Sequence, residues 1–222
     1  MSTTSLTVET RELLGTKTKG KILTASLGLF NAQGFDRVTT AQIAKAAEVL
    51  DGTLWYHFKA KNDLALAHLA ALETRLDLHL TRPVPQPEGL VFKHFETVFD
   101  LLWDFRYLLR DPLQALLEDS ANQRRLRDIY TKLEQQGQAR LRQAAALNLI
   151  NLEGVDIEKL ARTCLMIGRY WLDFAAIRYV DEVESPKLRA RGIAQLLFVL
   201  NPYFTETTRA FIDKLTESRS DD

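Results

Sequence analysis

Residues 39–61 read TTAQIAKAAEVLDGTLWYHFKAK, and this stretch decides how the rest of the chain is interpreted. A threonine at its start can cap a helix, and Ile43, Ala44 and Ala47 follow at helical spacing. Asp51 offers a second cap, and residues 53–58 form a compact second helix. Two helices joined by a turn of three or four residues are typical of a helix-turn-helix, whose second helix can lie in the major groove of DNA.

The order and spacing of residues around this stretch resemble the N-terminal domain of TetR-type transcriptional repressors. The resemblance is carried by Gly34-Phe35, Thr39-Thr40, Ile43-Ala44, Ala47, Gly52-Thr53-Leu54, Tyr56-His57-Phe58, Lys61 and Leu64. It implies a three-helix DNA-binding domain followed by a larger helical domain for ligand binding and dimerisation. Because these positions end at residue 64, the resemblance itself identifies no motif in the larger domain.

The remaining sequence predicts an all-α protein of about nine helices, since it has 6 prolines, 10 glycines and no sustained alternation of period two. We expect a disordered N-terminal tail over residues 1–15 and a helix-turn-helix DNA-binding domain over 16–62. A helical ligand-binding and dimerisation domain should follow over 63–216, with a frayed tail over 217–222. Pro83, Pro85 and Pro87 predict a loop within the larger domain.

Composition and charge indicate a folded protein with one basic segment. The chain has 222 residues, 46% of them apolar, and no net charge. Residues 16–62 nevertheless carry seven basic and three acidic side chains, a local charge of +4. This segment suits contact with phosphate, the alternative being a chance unevenness of surface charge. The single cysteine, Cys164, and the absence of an apolar leader favour a cytoplasmic protein without a membrane segment.

Nine residues are candidates for DNA contact: Thr39, Thr40, Asp51, Gly52, Thr53, Trp55, Tyr56, His57 and Lys61. Gly52 allows close approach of the backbone, Thr53 can touch a thymine methyl group, and Trp55 can lie along the groove wall. Thr40 can offer its hydroxyl to a phosphate.

The resemblance adds roles at the end of the second helix. It implies that Tyr56 and His57 face the DNA backbone and that Lys61 binds phosphate. The alternative for residues 56–58 is packing at the end of a three-helix core.

The turn between the two helices departs from the family pattern, which is Gly-Val-Ser-Lys-Gly or close to it. This chain has Glu48-Val49-Leu50-Asp51-Gly52. Leu50 replaces the capping serine, so Asp51 is expected to take over the cap. The Asp51 carboxylate can accept from a cytosine N4 amine, but an acidic group near phosphates lowers affinity. A helical ligand-binding or adaptor protein that no longer reads DNA is therefore the alternative function.

An aromatic face predicts a small-molecule pocket in the larger domain. Its candidate residues are Phe95, Phe99, Trp103, Arg106, Tyr130, Arg169, Tyr170, Trp171 and Phe174. These aromatic residues can equally form the core. The two arginines can pair with a ligand carboxylate or form simple ion pairs with Asp104 or Asp173.

The last two long helices are apolar over more than one face, which predicts a homodimer through a four-helix bundle, the alternative being closure of the monomer's own core. Its operator should be a near-palindromic double-stranded DNA. We expect a repressor released by a small apolar or amphipathic molecule, with the helix after residue 60 transmitting the change. The sequence lacks metal-ligand, cofactor and catalytic spacings, which argues against a helical-bundle enzyme.

Overall fold

A computed structural model describes residues 6–81, 90–110, 119–179 and 186–217. These ranges contain eleven α-helices, one 3-10 turn and no strand, apart from an isolated bridge between Ile150 and Phe204. The helices are α1 Val8–Leu14, α2 Thr18–Gln33, α3 Thr40–Ala46, α4 Asp51–His57, α5 Lys61–Thr81, α6 Leu90–Asp104, α7 Arg106–Arg110, α8 Ser120–Ala146, α9 Ile157–Arg178, α10 Pro186–Leu200 and α11 Glu206–Glu217. The 3-10 turn is Asn201–Tyr203.

The prediction of an all-α protein is confirmed, although the described helices outnumber the nine expected. The chain after the predicted proline loop forms two helices, because α6 ends at Asp104 and α7 begins at Arg106. The predicted loop at Pro83, Pro85 and Pro87 and the tail beyond residue 217 lie outside the described residues.

The prediction of a disordered tail over residues 1–15 is wrong for the residues that form α1. Thr7 caps α1 by accepting from the Thr10 amide, and Gly15 ends it at φ 84°, a conformation that favours glycine. Leu6 and Leu14 are buried, and α1 packs against α2 and α5. Tertiary packing therefore orders a seven-residue helix that is too short to be stable by itself.

Contacts divide the chain into two units. The first comprises residues 1–82 and 98–129, and the second comprises 83–97 and 130–222. The predicted boundary between residues 62 and 63 does not coincide with this division, because α5 and the end of α6 belong to the first unit. Phe30, Ile43 and Leu54 lie in the core of that unit. The second unit has its own core, formed around Leu141, Cys164 and Leu200.

A buried polar cluster in the first unit joins α1, α2, α5 and α6, and we call it the α1–α6 polar cluster: Thr7, Thr10, Asn31, Arg75 and Asp104. The Asp104 carboxylate accepts from the Thr7 amide at 3.2 Å and pairs with the Arg75 guanidinium, which also donates to the Thr10 hydroxyl. Asn31 donates to the Asp104 carbonyl at 2.7 Å and accepts from the Tyr107 amide at 3.1 Å. Partners within the chain thus satisfy a carboxylate that is 0% exposed.

His68 forms a second buried link between α2, α5 and α7. Its Nε2 lies 3.0 Å from the Leu23 carbonyl oxygen and its Nδ1 lies 2.7 Å from the Tyr107 hydroxyl. A carbonyl can only accept, so Nε2 carries the proton and Nδ1 accepts from Tyr107. Burial lowers the pKa of His68 from 6.5 to about 4, since a charged imidazole would lose its hydration, and burial also raises the pKa of Tyr107 well above its usual range.

Candidate nucleic-acid interface

The turn between α3 and α4 follows from how α3 begins and ends. Thr39 caps α3 by accepting from the Gln42 amide at 3.2 Å, while the Gln42 side chain accepts from the Thr39 amide at 2.7 Å. At the other end Glu48 adopts φ 56°, and the Val49 amide donates to the Ala44 carbonyl at 3.0 Å. This left-handed residue reverses the chain direction in a short distance, as a helix-turn-helix requires.

Leu50, rather than Asp51, occupies the cap position of α4. Its backbone is extended at φ −73° and ψ 149°, and its carbonyl accepts from the Thr53 and Leu54 amides. The expectation that Asp51 caps the helix is therefore wrong, because Asp51 is already the first helical residue. In this position its carboxylate lies in the first turn, where negative charge is favoured by the helix dipole.

The α4 helix buries one side and exposes the other. Leu54 is 1% exposed and Phe58 is also buried, whereas Leu50 and Tyr56 are 79% and 76% exposed. The exposed side consists of Leu50, Asp51, Gly52, Trp55 and Tyr56, which we call the recognition face. Residues four apart lie on the same side of a helix, so Asp51 adjoins Trp55 and Gly52 adjoins Tyr56. The sequence predicted four of these five exposed residues as candidates for DNA contact.

The first unit carries basic side chains on α2, on α3 and directly after α4. Lys17, Lys21 and Lys45 are exposed. Lys19 lies over the Phe58 ring at 5.7 Å and Lys59 lies over the Tyr56 ring at 5.9 Å. An exposed helix side in a domain rich in exposed lysines has the charge distribution that DNA phosphates attract.

Three predicted contact residues also have contacts within the chain. Thr39 forms the cap of α3. The Lys61 amine donates to the carbonyls of Phe35 at 2.9 Å and Val38 at 3.2 Å, so it fixes the loop between α2 and α3. His57 is half-buried, with its ring 5.2 Å from that of Tyr56. DNA contact by all nine candidate residues stays a prediction. Thr40 and Thr53 are partly exposed.

The residues predicted to line a ligand pocket fall in both units. In the first unit, Phe99 is buried and its ring stacks with Trp103 at 6.5 Å. The Arg106 guanidinium lies 4.4 Å from the Trp103 ring and donates to the Trp103 carbonyl. Asp104 pairs with Arg75 instead of Arg106. The Phe95 side chain lies outside the described part of the structure.

In the second unit, the predicted pocket residues on α9 point in different directions. Arg169 pairs with Asp173 at 2.6 Å, one of the two pairings that the sequence left open. Trp171 is buried and donates to the Leu188 carbonyl, whereas Tyr170 and Phe174 are exposed. Tyr130 on α8 is half-buried.

The exposed apolar residues of α9 form a continuous stripe that the sequence did not resolve. The stripe comprises Met166, Tyr170, Phe174 and Ile177, spaced by four, four and three residues, and Ile177 is 82% exposed. Phe198 on α10 is also exposed. The signal in the sequence was that α9 is apolar on more than one side, but periodicity alone does not tell which side faces the core.

A cleft of about 530 Å³ lies in the first unit, and none of the predicted pocket residues lines it. It is bounded by α1, α2 and the end of α3, with Arg11, Lys21 and Glu48 among its walls. The described residues contain no cluster of His, Cys, Asp or Glu that could hold a metal ion. Among those residues, none of the helices has the length and apolar character needed to cross a membrane.

Comparisons with known proteins agree with this arrangement of helices. Residues 22–68 match the model "Bacterial regulatory proteins, tetR family", and residues 70–211 match the TetR model "Bacterial transcriptional repressor". The chain belongs to the TetR family. Its TetR-type helix-turn-helix model spans α2, α3, α4 and the start of α5, which is the part of the chain that carries the recognition face.

Individual relatives support the assignment to the TetR family. The chain is 40% identical over 67 residues to the regulator TcmR of Streptomyces glaucescens, covering 27% of this chain and 30% of TcmR. It is 29% identical over 151 residues to AcrR of Shigella flexneri, covering 67% of this chain and 65% of AcrR. A TetR-family regulator from Marinobacter aquaeolei VT8 superposes with TM-score 0.75 at 26% identity, over 91% of this chain and 98% of that one.

Proposed function

We propose that the chain is a ligand-responsive, sequence-specific DNA-binding regulator of the TetR family, acting as a repressor in the cytoplasm. The recognition face of α4 carries this proposal. It exposes large side chains, and exposed lysines lie on α2, on α3 and directly after α4. Such an apolar surface is costly in water unless a partner covers it. A major groove admits an α-helix, and its phosphates attract the lysines of the same domain.

The stripe on α9 supports a homodimer through the last two long helices. Four large apolar residues along one side of a 22-residue helix need a partner surface, and a two-fold dimer covers the same patch on both copies. Two recognition helices would then lie ~34 Å apart and meet successive major grooves. The operator should therefore be a near-palindrome with half-sites one helical turn apart.

An effector would act by shifting the population between two dimer states. A small apolar or amphipathic molecule that binds the larger domain more tightly when the recognition helices are misplaced lowers operator affinity. A tenfold change needs only ~1.4 kcal/mol of coupling. The contacts of α5 with α1 and α2 give it the packing needed to move the helix-turn-helix as one body.

Selection from a random duplex pool at two salt concentrations tests the proposal. We expect an enriched near-palindrome, with log K falling linearly with log salt because phosphate contacts release counterions. Trp55→Ala should abolish the enrichment. Phe211→Ala is the matched control, since Phe211 and Trp55 are 42% and 43% exposed and Phe211 lies on α11. A pool without enrichment, bound equally by both variants, would contradict DNA readout and favour the adaptor function.

A further inference from the structure

The recognition helix lacks the side chains that proteins use most often to identify purines. Residues 50–57 read LDGTLWYH and include no Arg, Lys, Asn or Gln. Arginine or lysine usually contacts guanine, and asparagine or glutamine usually contacts adenine. This helix must therefore obtain its base preference from other chemistry.

Leu50 has the position and exposure to supply that chemistry. Since Glu48 reverses the chain and the backbone of Leu50 is extended, Val49 is partly buried while the Leu50 side chain is 79% exposed. In a helix-turn-helix, the first residues of the recognition helix contact the base edges. Leu50 therefore presents a branched apolar group where the base edges would lie.

The residue next to Leu50 narrows the choice of base. Asp51 is exposed and follows directly in the first turn of α4. A carboxylate repels the acceptor atoms N7 and O6 of guanine, but it can accept from the N4 amine of cytosine. The thymine C5-methyl is the apolar feature of the major-groove edge. An apolar group beside an acceptor therefore fits a thymine methyl next to an amine donor, which is the N6 amine of the paired adenine or the N4 amine of a neighbouring cytosine.

We propose that Leu50 determines specificity by packing against the C5-methyl group of a thymine in each operator half-site. This inference rests on the proposed function, because it requires α4 to enter the major groove. It predicts a thymine at a fixed position of the selected half-site. Burying one methyl group changes the binding constant by about fourfold.

Replacing that thymine by deoxyuridine tests the proposal, because deoxyuridine keeps the base pair and O4 and removes only the methyl group. The full-length protein should bind a duplex with one such replacement about fourfold more weakly. Leu50→Ala should bind the thymine and deoxyuridine duplexes equally. Leu147→Ala is the control, because Leu147 is also an exposed leucine but lies at the end of α8, and it should keep the wild-type ratio.

The outcomes separate this inference from the proposed function. Equal wild-type binding to both duplexes, or an undiminished thymine preference in Leu50→Ala, would overturn the role of Leu50 while leaving DNA readout intact. A random pool without an enriched sequence would overturn both, and it would do so before any deoxyuridine duplex is made. Thermal unfolding of Leu50→Ala should match the wild type, because the leucine contributes little buried surface.

Discussion

In the α1–α6 polar cluster charged side chains are buried against one another, whereas on the recognition face of α4 large apolar side chains are exposed. Asp104 is 0% exposed and is bonded to α1 and α5, while Leu50 is 79% exposed. Both arrangements contradict the usual distribution of polar residues outside and apolar residues inside. In the cluster the partners come from the same chain, and on the recognition face we propose that they come from DNA.

This difference leads to opposite expectations for substitutions in the two regions. Removing a side chain from the cluster leaves a buried partner without its hydrogen bonds, so the loss appears in folding stability. Removing a side chain from the recognition face changes little in the folded chain, so the loss appears in DNA affinity. Each variant should therefore affect mainly one of two measurements, the free energy of unfolding or the operator binding constant.

The largest effect on stability should come from Asp104→Ala. It leaves the Arg75 guanidinium buried without its carboxylate and removes the acceptor of the Thr7 amide, so we expect a loss of about 3–5 kcal/mol in urea denaturation. The matched control is Glu73→Ala, which breaks the pair with Arg125 at 2.7 Å, where both side chains are about one third exposed. That loss should be about 1 kcal/mol or less, because water screens the pair.

Equal losses of unfolding free energy in Asp104→Ala and Glu73→Ala would show that burial of the cluster adds nothing to stability. Amide exchange gives a second readout of Asp104→Ala. The amides of α1 should lose protection first, since their tie to Asp104 spans 97 positions of sequence.

The second effect is a pH dependence due to His68. The folded pKa of about 4 lies below the ordinary 6.5, so the unfolded chain binds more protons between these values and stability falls as the pH falls through this window. From pH 7.5 to 5.0 the wild type should lose about 2 kcal/mol more than His68→Gln. Urea denaturation at both pH values measures this difference. If the free energy of unfolding fell by the same amount between pH 7.5 and 5.0 in both proteins, a neutral buried imidazole would be contradicted.

The helix-turn-helix could be predicted from the sequence because its signals are local. The cap at Thr39, the apolar positions of α3 and the short turn all lie within 23 residues. The cap of α4 was misassigned because sequence rules favour Asp51, whereas the reversal at Glu48 places Leu50 in the cap position. Local rules thus located the motif, and the backbone path selected which side chains face outward.

The parts that could not be predicted depend on distant contacts. The seven-residue α1 is marginal by itself and is held by Asp104, which no pattern within residues 1–15 reveals. Lys61 has contacts that the sequence did not reveal, because carbonyls of the loop between α2 and α3 accept from its amine. Tyr170 and Trp171 are adjacent in sequence, yet one is exposed and the other is buried. Residue type alone does not show whether a side chain faces solvent or contacts a distant part of the chain.

A smaller effect should separate the neighbouring threonines that were both predicted to contact DNA. Thr39→Ala removes the cap of α3 and should lower the free energy of unfolding by ~1 kcal/mol. Thr40→Val keeps the shape and removes the hydroxyl, so it should weaken binding to specific and random DNA alike with little change in stability. Chemical denaturation measures the free energy of unfolding of both variants, and a binding titration measures their DNA affinity. If Thr40→Val loses stability and keeps DNA affinity, then Thr40 belongs to the fold and not to the interface.

Gly52→Ala is the only one of these substitutions that should increase stability, and its effect should be small. The position is helical, without a positive φ, and a Cβ atom built there meets no other atom within 4 Å. Alanine should therefore stabilise α4 by about 0.5–1 kcal/mol. On DNA the same methyl group would occupy the space through which the backbone approaches the groove, so operator affinity should fall.

Gly28→Ala is not a suitable control for this substitution, because Gly28 is buried within α2. Ala46→Gly provides the opposite comparison, since it creates an exposed glycine at the end of α3, outside the recognition face. It should lower stability by a similar amount and leave operator affinity unchanged. If Gly52→Ala raised both stability and affinity, the glycine would serve neither the fold nor the DNA, and the backbone of α4 would not approach the base edges at residue 52.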